Sequence, residues 1–488
     1  MVKVGFDNDK YLQLQSAHIR ERLAFFGGKL YLEFGGKLFD DYHASRVLPG
    51  FQPDSKLRML LQLKEQVEMV IAINSADIEK NKIRGDLGIT YDRDVIRLIG
   101  IFRELGLYVS SVVLTRFNGQ SAAKAFQSRL ESMGVKVYHH YAIAGYPSDT
   151  ASVVSEEGFG RNDFIETSRE LVVVTAPGPG SGKLATCLSQ LYHEHKRGVQ
   201  AGYAKFETFP VWNLPLNHPV NLAYEAATAD LSDVNMIDPF HLDAYGVTTV
   251  NYNRDVEAFP VLVAMFEKIL GECPYKSPTD MGVNMVGNCI VDDEAVRQAS
   301  YQEIVRRYYA ALCDAKQGKA SEDVVFKLEL LMKKVGVTPE IRRVVKPALE
   351  RAEQTGMPAT AIELPDGRII TGKTSDLLGA SSALLLNALK ALGEIPQDLH
   401  LISPVALDPI QHLKVDHLGN RNPRLHTDET LIALSISAAT SPTAEYAMEQ
   451  LSKLRGCDLH SSVILSSVDE QTFKRLGVNL TCEPRYKA

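Results

Sequence analysis

Short apolar runs rich in β-branched residues alternate with stretches of helical period over the first part of the chain. The runs fall at residues 29–34, 69–73, 111–115, 136–141 and 171–175, with helical-period segments such as 94–105 and 121–133 between them. Strands that alternate with helices predict an α/β domain with a largely parallel sheet. The string Phe26-Gly-Gly-Lys-Leu30 returns eight residues later as Phe34-Gly-Gly-Lys-Leu38. Paired glycines at that spacing read as the turns of an N-terminal β-meander. An anion held by Lys29 and Lys37 is the alternative reading.

Residues 292–355 change texture. Ile304, Val305, Tyr308, Tyr309 and Leu312 share one helical face, Gly318 and Gly336 punctuate, and Ser321 and Thr338 suit helix starts, with Pro339 at the first helical position. Three helices are expected there. The α/β texture then returns. Runs at 361–364 and 368–371 flank Pro365-Asp366-Gly367, a hairpin turn. An apolar helix is expected at 381–392, helices at 428–439 and 443–455, and strands at 400–403 and 462–465. The fold class is therefore α/β in three parts: an N-terminal, mostly parallel sheet domain with a P-loop-like turn (1–291), a helical domain (292–356) and a C-terminal α/β domain (357–488).

Composition narrows the class. With 488 residues, 45% hydrophobic and 23% charged, the chain is an ordinary globular protein rather than a disordered or fibrous one. A net charge of −7 argues against a general nucleic-acid or anionic-membrane binder. No apolar run reaches the roughly 18–20 residues of a membrane helix. The six cysteines are scattered without a CxxC, as in reduced cytoplasmic thiols, so neither a disulfide frame nor a zinc site is expected. Nothing calls for haem or flavin.

The sharpest chemical signal is Leu171-Val-Val-Val-Thr-Ala-Pro-Gly-Pro-Gly-Ser-Gly-Lys183-Leu-Ala-Thr186. A strand enters a glycine-rich turn and a helix begins near Lys183. Glycines let successive N–H groups turn toward phosphate oxygens, the helix start adds partial positive charge, and a lysine reaches the terminal phosphates. The candidate phosphate binders are Gly178, Gly180, Ser181, Gly182 and Lys183. Against the pattern Gly-x-x-x-x-Gly-Lys-Ser/Thr, Pro177 replaces the first glycine and Leu184 the hydroxyl that would ligate magnesium. The string looks like the phosphate loop of adenylate-kinase-type enzymes, which also lack that hydroxyl. Thr186, three residues past Lys183, and Asp238, in Asn235-Met-Ile-Asp238, are the candidates to support Mg²⁺. ATP or another nucleotide with Mg is the expected cofactor.

Other polar clusters are weaker. Asp238, His241 and Asp243 have a spacing that suits a divalent metal, but also a polar loop. Arg254, and Lys276 with Asp280, sit in turn-rich segments. In the last domain, Lys373, Thr374, Ser375, Ser381 and Ser382 gather before an apolar helix, and Arg421, Arg424 and His426 precede another. Lys373, Ser381, Ser382, Arg421 and Arg424 are expected to hold a second anionic group. No G-x-S-x-G and no H-E-x-x-H occurs, so a protease lacks its nucleophile or metal.

Several segments together resemble an uncharacterised bacterial family of roughly 500-residue cytosolic proteins, a domain of unknown function. They are Ala176-Pro-Gly-Pro-Gly-Ser-Gly-Lys-Leu-Ala-Thr186, Tyr275-Lys-Ser-Pro-Thr-Asp-Met-Gly-Val-Asn284, Ile370-Thr-Gly-Lys-Thr-Ser375, His400-Leu-Ile-Ser-Pro-Val405, Asn420-Arg-Asn-Pro-Arg-Leu-His426 and Leu454-Arg-Gly-Cys457. The resemblance spans the whole chain. It implies a C-terminal domain similar in topology to the cytidine-deaminase fold, without the H-x-E and P-C-x-x-C residues of that chemistry. Some members carry an ATP-dependent peptidase label, whose peptidase half no residue here supports. The expectation is an enzyme that binds a nucleotide or phosphorylated metabolite. The alternatives are a non-catalytic metabolite-binding or assembly protein and a metal-dependent hydrolase. The expected partners are an anionic small molecule and further copies of the chain as a homo-oligomer, with no nucleic acid and no membrane. The expected location is cytoplasmic.

Overall fold

Every residue of Val67–Asn74 and of Leu171–Thr175 is buried, as parallel strands covered on both faces require. The computed structural model describes residues 4–84, 87–231 and 233–486, which fall into two compact units, 4–225 with 233–296 and 226–231 with 297–486. The sheet of the first unit has seven strands: β1 (Leu30–Phe34), β2 (Val67–Asn74), β3 (Tyr108–Phe117), β4 (Lys136–Tyr141), β5 (Leu171–Thr175), β6 (Gly202–Phe206) and the short β7 (Gly282–Val283). All neighbours are parallel, in the order β7-β6-β1-β5-β2-β3-β4. Its helices include α1 (Asn8–Phe25), α2 (Tyr91–Glu104), α3 (Ser121–Ser132) and α4 (Lys183–Lys196). Val95, Leu98, Ile99 and Phe102 put the apolar stripe of α2 into the core.

The expected meander does not form among the described residues. The first glycine pair instead ends α1, where the N–H groups of Phe26, Gly27 and Gly28 bond back to Arg22, Ala24 and Leu23. β1 then pairs with β5 and β6, both parallel and both from much later in the chain. Lys29 is used in an ion pair with Glu194, at 2.7 Å.

The strand order creates the place where a site can form. β5 leads through α4 across β1 to β6, while its other neighbour, β2, leads away toward β3. Connections that leave two adjacent strands in opposite directions open a crevice beyond their carboxyl ends, the usual ligand position in open α/β sheets.

In the second unit the three expected helices are α5 (Asp293–Lys316, which begins in the first unit), α6 (Glu322–Val335) and α7 (Val345–Thr355). Thr338 and Pro339 open only a 3₁₀ turn, Pro339–Ile341. The sheet runs β9 (Ile369–Lys373), β8 (Ala359–Glu363), β10 (Asp458–Ser461), β11 (Asn479–Cys482), with β8 antiparallel to β9 and β10, and β10 parallel to β11. Ile362 faces the cluster of Leu384, Leu385 and Leu389 on α8 (Ala380–Leu392). Ala361, on the other face, meets Val344 and Ala348 beside α7. Residues 400–403 are not a strand; they lead into a helix, Pro404–His412, whose first position the proline takes. The strand expected at 462–465 lies earlier, as β10. Among the described residues no helix is long and apolar enough to cross a membrane.

Candidate functional site

The turn after β5 is held by its carbonyl oxygens. Ser181 Oγ donates to the Gly178 carbonyl at 2.9 Å, and Thr115 Oγ1, from β3, to the Ser181 carbonyl at 2.8 Å. Asn74 Nδ2, from the end of β2, reaches the Gly180 carbonyl at 3.4 Å, and both Thr186 Oγ1 and Thr186 N–H donate to the Gly182 carbonyl at 2.9 Å. The amides are the opposite case. Among the described residues, none of the N–H groups of Gly178, Gly180, Ser181, Gly182, Lys183, Leu184 and Ala185 donates to a protein acceptor. Gly182 caps α4 in the left-handed region at φ 88°, and a Cβ on Gly178 would collide with the Tyr91 hydroxyl. The turn is thus pinned against α2, β2 and β3 from behind.

Lys183 is half-buried at the first position of α4 and makes no hydrogen bond or ion pair among the described residues. Unpaired amides at the start of a 14-residue helix, with a lysine beside them, attract negative oxygen. Two further polar groups stand at the strand ends. Ser75, directly after β2, is fully buried and its hydroxyl meets no hydrogen-bond partner among the described residues. Arg116, near the end of β3, has φ 48°, an uncommon backbone state for a side-chain-bearing residue, and an exposed guanidinium without an ion pair among the described residues. Cys187, one turn into α4, is buried, and burial and then Glu33 hold its thiol well above its ordinary range, away from the thiolate.

Thr186 and Asp238 do not suit magnesium. Thr186 is fully buried and its hydroxyl is spent on the Gly182 carbonyl. Asp238 is also fully buried; Oδ1 accepts from Phe240 N–H and His241 N–H at 3.0 Å each, and Oδ2 from Thr279 Oγ1 at 2.6 Å and Thr279 N–H at 3.2 Å. The carboxylate caps the helix Pro239–Tyr245 and ties it to Thr279. Asp243 is exposed, and no group of three metal-ligating side chains exists among the described residues, so the Asp238, His241 and Asp243 centre is not formed. Arg254 is taken by Asp233, at 2.6 Å.

In the second unit the expected anion set is divided. Ile370 and Gly372 face α8, where a Cβ on Gly372 would strike the helix backbone, so Lys373 lies on the opposite face with Ile369. Ser381 and Ser382 are on α8 itself, and Ser382 Oγ donates to the Leu425 carbonyl at 2.9 Å. Arg424 Nε donates to the Ser375 carbonyl at 2.6 Å. Arg421 is exposed. Ser466, His426 and Asp469 lie together but not as a hydrolytic triad. Ser466 Oγ donates directly to Asp469 at 2.8 Å, and Asp469 also accepts Thr427 N–H and Oγ1, which fastens two helix starts together.

Sequence reading missed Asn74, Ser75, Thr115 and Arg116. Each is a polar residue at the carboxyl end of an apolar strand, which was a visible signal. The convergence of Asn74 and Thr115 on one turn depends on strand order, which was not.

The first unit is a parallel α/β sheet in which a run of amides without protein acceptors, among the described residues, follows β5 at the switch point. The chain belongs to the DUF1846 family: the description "Domain of unknown function DUF1846, N-terminal" matches residues 4–336 and "Domain of unknown function DUF1846, C-terminal" residues 340–488. It is 61% identical over 484 residues to UPF0371 protein cu0538 of Corynebacterium urealyticum, covering 99% of this chain and 97% of that protein. It is 59% identical over 487 residues to UPF0371 protein SpyM50764 of Streptococcus pyogenes serotype M5, covering 100% of this chain and 99% of that protein. The same figures hold for a UPF0371 protein of Streptococcus pneumoniae strain JJA.

Proposed function

We propose that the chain binds a phosphorylated small metabolite, a nucleotide or a sugar phosphate, at the turn between β5 and α4. One observation carries the reading: every carbonyl from Gly180 to Gly182, and that of Gly178, is tied down by a side chain, while among the described residues no N–H from Gly178 to Ala185 finds an acceptor. Phosphate oxygens satisfy those amides, and Lys183 supplies the countercharge.

Binding without magnesium-dependent phosphoryl transfer is favoured over an ATPase-like reading, because both residues named for magnesium are spent on the fold. The deaminase-like topology of the C-terminal sheet stays a proposal about fold only. Calorimetry of the full chain with ATP, ADP, AMP, a hexose phosphate and inorganic phosphate tests the reading. At least one probe is expected to bind, and Lys183→Ala to weaken it about 10- to 100-fold, the loss of one charged hydrogen-bond partner. Failure of all the probes, or binding indifferent to Lys183→Ala, overturns it.

A further inference from the structure

We infer that the first unit carries a second ligand site, separate from the glycine turn and built for a zwitterionic α-amino acid. A cavity of about 280 Å³ lies at the outer edge of the sheet, beside β6 and β7. Its lining includes Arg22, from the last turn of α1, Trp212, from the segment after β6, and Asp280 and His241, from the short helices Pro278–Met281 and Pro239–Tyr245. Pockets for drug-sized ligands begin near roughly 300 Å³, so this one suits a small metabolite rather than a nucleotide.

Two donors of this lining lack acceptors among the described residues. Arg22 Nε and Trp212 Nε1 are both buried without a hydrogen-bond partner among the described residues, and the Arg22 guanidinium forms no ion pair there. Native proteins rarely leave buried donors in that condition, and a guanidinium fork matches a carboxylate through two parallel bonds. The indole is fixed in place, since it lies against Gly282 where any Cβ would collide with it.

The same lining also offers an acceptor. Asp280 Oδ2 takes the Tyr245 hydroxyl at 2.8 Å and Lys276 N–H at 3.0 Å, and Oδ1 stands 3.7 Å from His241 Nδ1. A carboxylate offers about four lone-pair sites, so Asp280 keeps room for an ammonium. His241 Nδ1 is itself engaged at 2.9 Å by Ser277 Oγ, which holds the ring in position. One cation and one anion therefore line the same small space. A ligand with a carboxylate and an ammonium answers both, whereas a phosphate dianion would be repelled by Asp280.

Trp212 is the only tryptophan in the chain, so its emission reads this cavity alone. The test titrates the full chain with each proteinogenic α-amino acid other than tryptophan and tyrosine, with lactate, malate and inorganic phosphate alongside. At least one amino acid is expected to give a saturable change in emission. Arg22→Ala and Asp280→Asn should each weaken it about tenfold or more, equal to about 1.4 kcal/mol. Lys183→Ala should leave it unchanged, so the two sites stand or fall separately. The proposal is overturned if no amino acid saturates the wild-type signal. It is also overturned if only the hydroxy acids or phosphate do so, or if both variants, folded by circular dichroism, bind as the wild type does. Should Arg22→Ala fail to fold, Asp280→Asn and the wild-type titration still decide.

Discussion

The glycine turn before Lys183 and the segment from Ile237 to Gly246 carry the same kind of sequence signal, acceptors and donors clustered after a strand and before a helix. Their hydrogen bonds run in opposite senses. Around Asp238 four donors converge on one buried carboxylate, so the polar groups of the segment are spent inside the protein. Around Gly178–Lys183 the carbonyls are spent and the amides are not. A cluster that satisfies itself holds the fold together, whereas one that satisfies only its acceptors has donors left for a ligand.

The largest expected effect tests the self-satisfied half. Asp238→Ala removes a helix cap and leaves the Thr279 N–H buried without its acceptor, while Thr279 Oγ1 keeps Thr249 Oγ1 and Asn251 Nδ2 as neighbours. It should cost about 4 kcal/mol, a cap plus one orphaned buried donor. Urea unfolding measures this; a loss under about 1 kcal/mol would show that the carboxylate is not part of the fold's framework.

Acid pH gives the next effect and must be separated from ligand loss. His140, in β4, is 3% exposed, and burial holds its pKa at about 4 against the ordinary 6.5, although Nε2 lies 3.2 Å from the Asp163 carbonyl. Between those pH values the unfolded chain takes up a proton that the folded chain refuses. Stability is therefore full above pH 6.5 and falls as the pH drops toward 4. At about 1.36 kcal/mol per unit, the loss over that window is about 3 kcal/mol. Unfolding measured across the window should slope for the wild type and flatten for His140→Asn. Weakened phosphate binding at low pH that persists in His140→Asn then belongs to the turn.

Lys183→Ala probes the other half of the comparison. Stability should stay within about 0.5 kcal/mol, as for an unpaired residue away from the core, while phosphate affinity drops by about 2 kcal/mol. The same variant measured by urea unfolding and by calorimetry separates the two. A stability loss equal to the binding loss would make Lys183 another structural residue.

How much of this was legible before the fold was known follows from what each element depends on. β2 to β5 and the helices between them were readable because a parallel strand buried on both faces leaves an unbroken apolar run. The glycine turn was readable for the same local reason. Strand order was not: β5 enters between β1 and β2, and that insertion brings Asn74 and Thr115 to the turn. The repeated Phe-Gly-Gly-Lys-Leu string misled because identical residues close a helix at one copy and leave a strand at the other. Which happens depends on partners more than 100 residues away, Leu171 and Gly202, paired with Leu30.

Arg424 gives the smallest effect and the cleanest contrast with Lys183, since both are basic residues near a helix start. Its Nε donates to the Ser375 carbonyl at 2.6 Å, which joins the loop after β9 to the loop before α9 (Thr427–Ala438). One such half-exposed bond to a backbone carbonyl is worth about 1 kcal/mol. Arg424→Ala should therefore lower stability by about that amount and leave phosphate affinity untouched, the reverse of Lys183→Ala. Parallel unfolding and calorimetry on the two variants measure both quantities. If Arg424→Ala instead weakened phosphate binding at unchanged stability, pairing inside the protein would no longer mark a basic residue as structural, and the rule separating the two clusters of the first unit would fail with it.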